Sequence, residues 1–63
     1  MTIIQLLIDE TENGSLALLE RLAVEADSVD RVGNGDYTVT GDKRTIEGVI
    51  ARYPQAVLKV ETA

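Results

Sequence analysis

Apolar and polar positions alternate with two different periods along the chain, and the changes of period predict secondary-structure elements. Residues 2–8 are rich in β-formers and apolar on both faces, which predicts a strand in the middle of a sheet. Apolar residues then recur at helical spacing from Leu16 to Ala26. This predicts a helix over residues 15–27, with Ser15 as its N-terminal cap.

The next two β-rich segments, 28–32 and 36–40, flank the dipeptide Asn34-Gly35. Asn-Gly tolerates the positive φ angles that a type I′ turn requires at both central positions, so the pattern predicts a hairpin with that turn. In this register Val32 would lie opposite Tyr37 and share its buried face.

The second helix and the last strand have clear boundaries. Asp42 is a plausible cap, and the apolar spacing from Ile46 to Tyr53 is helical. Pro54 disfavours helical geometry at the preceding residue, so the helix should end at Tyr53. Residues 56–62 alternate as a strand with one solvated face.

Strand, helix, strand, strand, helix and strand together fill residues 1–63 and predict a single α+β domain. The expected fold is a βαββαβ ferredoxin-like plait, in which two helices cover one face of a four-stranded antiparallel sheet. The other face stays open. It is expected to carry Ile3, Gln5, Leu7, Thr38, Thr40, Val57, Lys59 and Glu61.

Ile3, Leu7 and Val57 make this open face unusually apolar for a solvated surface, which favours a binding site. An ordinary mixed surface is the equally weighted alternative, because more than half of any protein surface is apolar.

Composition narrows the function classes. The chain has no His, Cys or Trp and only two Ser, so we expect neither an enzyme nor a cofactor or metal site. The net charge of −5 repels a phosphate backbone and argues against nucleic acid as a partner. The longest apolar run is far shorter than the roughly 20 residues of a membrane span, so we expect no membrane partner either.

The loop from Asp9 to Gly14, followed by Glu20, has the oxygen spacing of an EF-hand loop, with Thr11 in place of an acid or amide. A tight turn at Asn13-Gly14 explains the same residues. We expect calcium to bind no tighter than roughly millimolar.

The second half of the chain resembles the propeptide family of subtilisin-like serine proteases and its free-standing inhibitor relatives. The resemblance rests on Asn34-Gly35-Asp36-Tyr37, on the amphipathic helix that follows, and on the segment from Pro54 to Glu61. Asp36 is an insertion relative to the family pattern, and the spacer after Pro54 is one residue longer.

The resemblance implies a mechanism. The open sheet face would lie across two parallel helices of the protease, an acid after the last strand would cap their N-termini, and the C-terminal tail would enter the substrate cleft. Glu61 matches the capping acid, and Thr62 and Ala63 follow it. The implied protein-binding residues are Ile3, Leu7, Val57, Lys59, Val60, Glu61, Thr62 and Ala63.

The leading hypothesis is therefore a small non-enzymatic protein-binding module, an inhibitor or folding assistant of a subtilisin-like protease. A regulatory or accessory protein, viral ones included, that pairs with itself or a host factor through a sheet edge is the first alternative. A dimeric small-molecule sensor is the second, and it needs a Gly-lined loop of which Asn13-Gly14 is only a short version. The compartment stays open.

Overall fold

The computed structural model describes residues 1–62, which form four strands and two helices. Their order along the sheet is β2-β3-β1-β4, and each neighbouring pair is antiparallel. The predicted α+β plait is confirmed. The elements are β1 (Thr2–Ile8), α1 (Ser15–Glu25), β2 (Ser28–Gly33), β3 (Asp36–Gly41), α2 (Lys43–Ala51) and β4 (Val57–Thr62).

The core lies between the sheet and the two helices. β1 contributes Ile4, Leu6 and Ile8, which alternate with outward-facing residues as the period of a strand requires. Both helices pack on this one face, so the opposite face has no covering element among the described residues. The remaining buried apolar residues are Leu18, Leu22, Tyr37, Val39, Ile46, Val49 and Ala56.

Helix α1 begins where predicted but is not capped as predicted. Gly14 occupies the cap position without a side-chain hydrogen bond, and the buried Ser15 Oγ instead donates to the Glu10 carbonyl at 3.4 Å. The helix also ends two residues early. Asp27 N–H donates to Thr40 O at 2.8 Å and thereby leads the chain into the sheet.

Helix α2 has the predicted cap, since Asp42 Oδ2 accepts from the Thr45 backbone N–H at 3.0 Å. It ends before Tyr53. The Arg52 and Tyr53 amides donate to carbonyls three residues earlier, at 3.1 and 3.0 Å, which tightens the last turn ahead of Pro54.

The β2–β3 hairpin turns at the predicted dipeptide with a different geometry. Gly35 has φ of 75°, but Asn34 has no positive φ, so the turn is not type I′. The pairing also shifts: Arg31, not Val32, lies opposite Tyr37. Val32 is 62% exposed in the resulting bulge, so the prediction that it is buried beside Tyr37 is wrong.

A second bulge lies in β4. Ile8 pairs with Val57 and Leu7 pairs with Lys59, which leaves Leu58 as an extra residue, 62% exposed. Val57 consequently packs against the core. The expectation that Val57 belongs to the open face is wrong, because the bulge interrupts strict alternation between Val57 and Lys59.

Truncation of a core residue should be costly. Leu6 is fully buried at the centre of β1, and Leu6→Ala should lower the free energy of unfolding by about 2–5 kcal/mol in urea melts. The control is Leu16→Ala on α1, which is 65% exposed and should change stability by no more than about 0.5 kcal/mol. Equal costs would contradict the described core.

Gly35 should not tolerate a side chain, whereas Gly48 should. A Cβ at Gly35 would meet a positive φ and lie 2.5 Å from the Ile8 carbonyl oxygen, so Gly35→Ala should cost more than about 1 kcal/mol. Gly48 is in α2 with open space at its Cβ, and Gly48→Ala should stabilise by about 0.5–1 kcal/mol. Chemical denaturation showing the same sign for both would refute the turn geometry.

Candidate functional site

The uncovered surface of the sheet, here called the open face, is centred on β1. Gln5 lies between Thr38 of β3 and Glu61 of β4, and Leu7 lies between Asp36 and Lys59. Strand registry therefore fixes which side chains meet. The open face comprises Ile3, Gln5, Leu7, Ser28, Asp30, Asp36, Thr38, Thr40, Lys59 and Glu61.

The open face has a small apolar centre. Ile3 is 46% exposed and Leu7 is half-buried, whereas their cross-strand neighbours are polar or charged. Without Val57, which belongs to the core side, the aliphatic surface is two side chains rather than a broad patch. The open face therefore has a small apolar centre surrounded by a polar rim.

Three carboxylates and one ammonium give the open face an acidic character. Lys59 Nζ and Glu61 Oε1 are 2.8 Å apart, and their hydrogen bond raises the pKa of Lys59 and lowers that of Glu61. Thr38 Oγ1 donates to Gln5 Oε1 at 3.2 Å. Asp30 and Asp36 add exposed negative charge on the side nearer β2.

A shallow depression of about 220 Å³ lies on the open face. Small-molecule sites usually enclose roughly 300–1,000 Å³ and bury most of the ligand. This hollow is smaller and open to solvent, so it suits one protruding side chain of a protein partner better than an enclosed ligand. Its lining residues are Gln5, Leu7, Asp36, Lys59 and Glu61.

The predicted binding residues divide between two surfaces. Ile3, Leu7, Lys59 and Glu61 are brought together on the open face. Val57, Val60 and Thr62 lie opposite Ile8, Leu6 and Ile4 on the helix side of the sheet, where Val60 is 41% exposed. Ala63 lies outside the described residues.

A polar cluster that the sequence pattern does not reveal joins the β1–α1 loop to the hairpin. Tyr37 is buried, and its hydroxyl donates to Glu10 Oε2 at 2.7 Å. Arg31 Nη2 lies 3.3 Å from Glu10 Oε1 and donates to Asn34 Oδ1 at 3.3 Å. The separation of 27 residues between Glu10 and Tyr37 explains why no local motif indicates this contact.

The contacts within this cluster shift the pKa values of both of its titratable partners. The hydrogen bond from Tyr37 lowers the pKa of Glu10, and burial together with that bond raises the pKa of Tyr37. A general acid or base works best with a pKa near the working pH, and both groups are moved away from neutrality. The phenol remains protonated and the carboxylate ionised, which keeps the buried hydroxyl paired.

In the acidic loop between β1 and α1, the Asp9 carboxylate forms its hydrogen bonds within the loop. Asp9 Oδ1 accepts from the Thr11 backbone N–H at 3.0 Å and from Thr11 Oγ1 at 2.6 Å, and these bonds lower the pKa of Asp9. Within residues 1–62, no group of three or more His, Cys, Asp or Glu side chains is placed to hold a metal ion. Weak calcium binding at this loop stays a prediction.

Comparisons with family models, curated proteins and solved structures found no match for this chain. No helix in the described part of the chain is both long and apolar enough to cross a membrane.

The Glu10–Tyr37 contact should make stability depend on acidity. The pKa of Glu10 in the folded state is below its ordinary value of 4.5. The ionised carboxylate therefore adds to the free energy of unfolding above pH 4.5, and this contribution is lost as the pH falls through the folded-state pKa. Glu10→Gln should therefore be less stable than the wild type at pH 7, and the difference should shrink towards about pH 3 in urea melts.

Glu12→Gln in the same loop is the control for charge alone, since Glu12 does not receive the Tyr37 bond. A wild-type advantage over Glu10→Gln that is constant from neutral to acidic pH would contradict the assigned contact.

Proposed function

We propose that this chain is a non-enzymatic protein-binding module that docks through its open face, with a subtilisin-like serine protease as the partner class. The supporting observation is that both helices pack on one side of the sheet and leave Ile3 and Leu7 uncovered on the other. A four-stranded sheet with one bare face presents a rigid surface that could lie across a pair of helices.

The charge on the open face supports a partner that offers positive charge. Asp36 and Glu61 line the same hollow, and a carboxylate there could accept from free N–H groups at a helix N-terminus. This is the role that the propeptide resemblance implies for Glu61.

Glu61 first has to exchange its partner. Its pair with Lys59 is exposed, and exposed pairs contribute little because water and salt screen them. Breaking the pair with Lys59 therefore costs little free energy. Lys59 also lowers the pKa of Glu61 and so favours the ionised carboxylate. The pair keeps Glu61 ready to accept rather than blocking it.

Inhibition of a subtilisin-like protease tests the proposal directly. The native chain should slow turnover of a chromogenic peptide substrate in a concentration-dependent way before any digestion of the chain. Ile3→Lys should weaken the inhibition at least severalfold, because it places a charge at the apolar centre of the open face. Leu16→Lys, an exposed position on α1, is the matched control and should inhibit like the native chain.

Glu61→Gln separates the capping role from the face as a whole. It keeps the side-chain shape, removes the charge, and should weaken inhibition by a few-fold, whereas Glu20→Gln on α1 should not. Circular dichroism of each variant checks that the fold is retained. If several such proteases simply digest the native chain without a lag in substrate turnover, the inhibitor assignment fails.

A further inference from the structure

We propose that two copies of this chain pair through their β4 edges, antiparallel about a twofold axis at Val60, and form one continuous eight-stranded sheet. This interface is distinct from the open face, which it leaves uncovered in both copies. Its test does not require a protease, although Lys59 and Glu61 bear on both surfaces.

β4 is the outermost strand on its side of the sheet, and its backbone groups alternate in direction. Ile8 N–H donates to Gly35 O at 2.7 Å towards β3, and Asp9 N–H donates to Ala56 O at 2.8 Å towards the β4 side. Odd-numbered residues of β1 therefore bond to β4.

It follows that Lys59 and Glu61, opposite Leu7 and Gln5, direct their backbone groups inward to β1. The N–H and C=O groups of Val60 point outward, away from the sheet. Thr62 has the same parity as Val60, so these two residues present unpaired backbone groups along this edge; at Leu58 the bulge interrupts the alternation.

The edge is also apolar where it is unpaired. Leu58 is 62% exposed, and Val60, which lies opposite Leu6, is 41% exposed. Natural edge strands are usually protected from pairing by a charge, and Lys59 is the residue on β4 that would do so. Glu61 of the same strand already lies 2.8 Å from Lys59 in an exposed pair, so a partner strand must place an acidic residue, and not a second cation, opposite Lys59.

A second copy of β4 neutralises it in one register only. With the twofold axis at Val60, Lys59 of each copy lies directly opposite Glu61 of the other. An axis one residue earlier places the two Lys59 side chains together, and an axis one residue later places the two Glu61 side chains together. Like charges directly opposite each other are destabilising, so charge selects the register at Val60.

The backbone allows this register, as it allows those centred at Lys59 and Glu61, so the charge pattern is what distinguishes the three. Val60 meets Val60 of the second copy with outward groups on both strands, and Leu58 lies opposite Thr62. The other edge strand, β2, has no comparable register. Two copies of β2 pair the most residues when the twofold axis lies at Asp30 or at Arg31, and these registers place two carboxylates or two guanidinium groups opposite each other.

Sedimentation equilibrium at near-physiological salt measures the association. The interface falls in the small, weak class, so the chain is studied up to about 1 mM. We expect a monomer–dimer equilibrium. Amide hydrogen exchange by NMR gives the register: the Val60 amide should become protected as concentration rises, whereas the Lys59 and Glu61 amides should be protected at every concentration.

A charge-exchange series tests the register without disturbing the β1 ladder. Lys59→Glu and Glu61→Lys should each raise the dimer dissociation constant at least about tenfold, because each places like charges opposite. The double exchange should restore it to near the native value. N-methylation of Val60 in the synthetic chain removes one outward donor and should also abolish pairing.

Several results would overturn the proposal. They are a monomer at every concentration, a dimer that the charge series and N-methylation leave unchanged, or protection that leaves out Val60. Open-ended oligomers would indicate pairing of β4 with β2 of the next copy and would equally overturn it. Circular dichroism shows whether each variant keeps the monomer fold, and the Leu16→Lys chain should dimerise like the native one.

Discussion

The registry of β1 between β3 and β4 is the constraint on which the rest of the structure depends. β1 is the one strand with neighbours on both sides whose apolar residues fall on both faces. Ile4, Leu6 and Ile8 build the core, and Ile3 and Leu7 form the centre of the open face. A slip of one residue would exchange the two sets and put the core residues in water.

Two contacts near the end of β1 hold that registry. The Ile8 amide donates to the Gly35 carbonyl, and the glycine leaves room for the Ile8 carbonyl oxygen where a side chain would collide with it. Glu10, two residues beyond β1, accepts from the Tyr37 hydroxyl. The hairpin is therefore joined to the end of β1 through its backbone and through a polar side chain, and this small domain has no disulfide to do the same.

The sequence predicted what depends on local pattern and missed what depends on an extra residue in a strand. Element order, the Asp42 cap and the hairpin position follow from periodicity and turn chemistry. Val32 and Val57 were misplaced because each bulge shifts the alternation by one residue, and a bulge has no signature in a two-state apolar pattern.

The candidate site likewise has a part that the sequence pattern predicts and a part that it does not. Ile3, Leu7, Lys59 and Glu61 were placed on one face correctly, since no bulge separates the members of either strand pair. The outward direction of the Val60 backbone groups, in contrast, depends on which residues of β1 bond to β3 and which bond to β4. Residue types do not reveal this.

The two bulges also determine which surfaces are free for binding. The β4 bulge turns Val57 into the core and leaves Leu58 at the edge, so apolar surface moves from the open face to the strand edge. It leaves Lys59 and Glu61 on the open face, where they are two residues apart and also flank Val60. The same pair therefore bears on both proposed surfaces: Glu61 would offer charge to a partner on the open face, and with Lys59 it would decide which strand can lie alongside β4. A partner that takes Glu61 away from Lys59 on the open face must weaken the charge match at the edge, so occupation of one surface should disfavour occupation of the other.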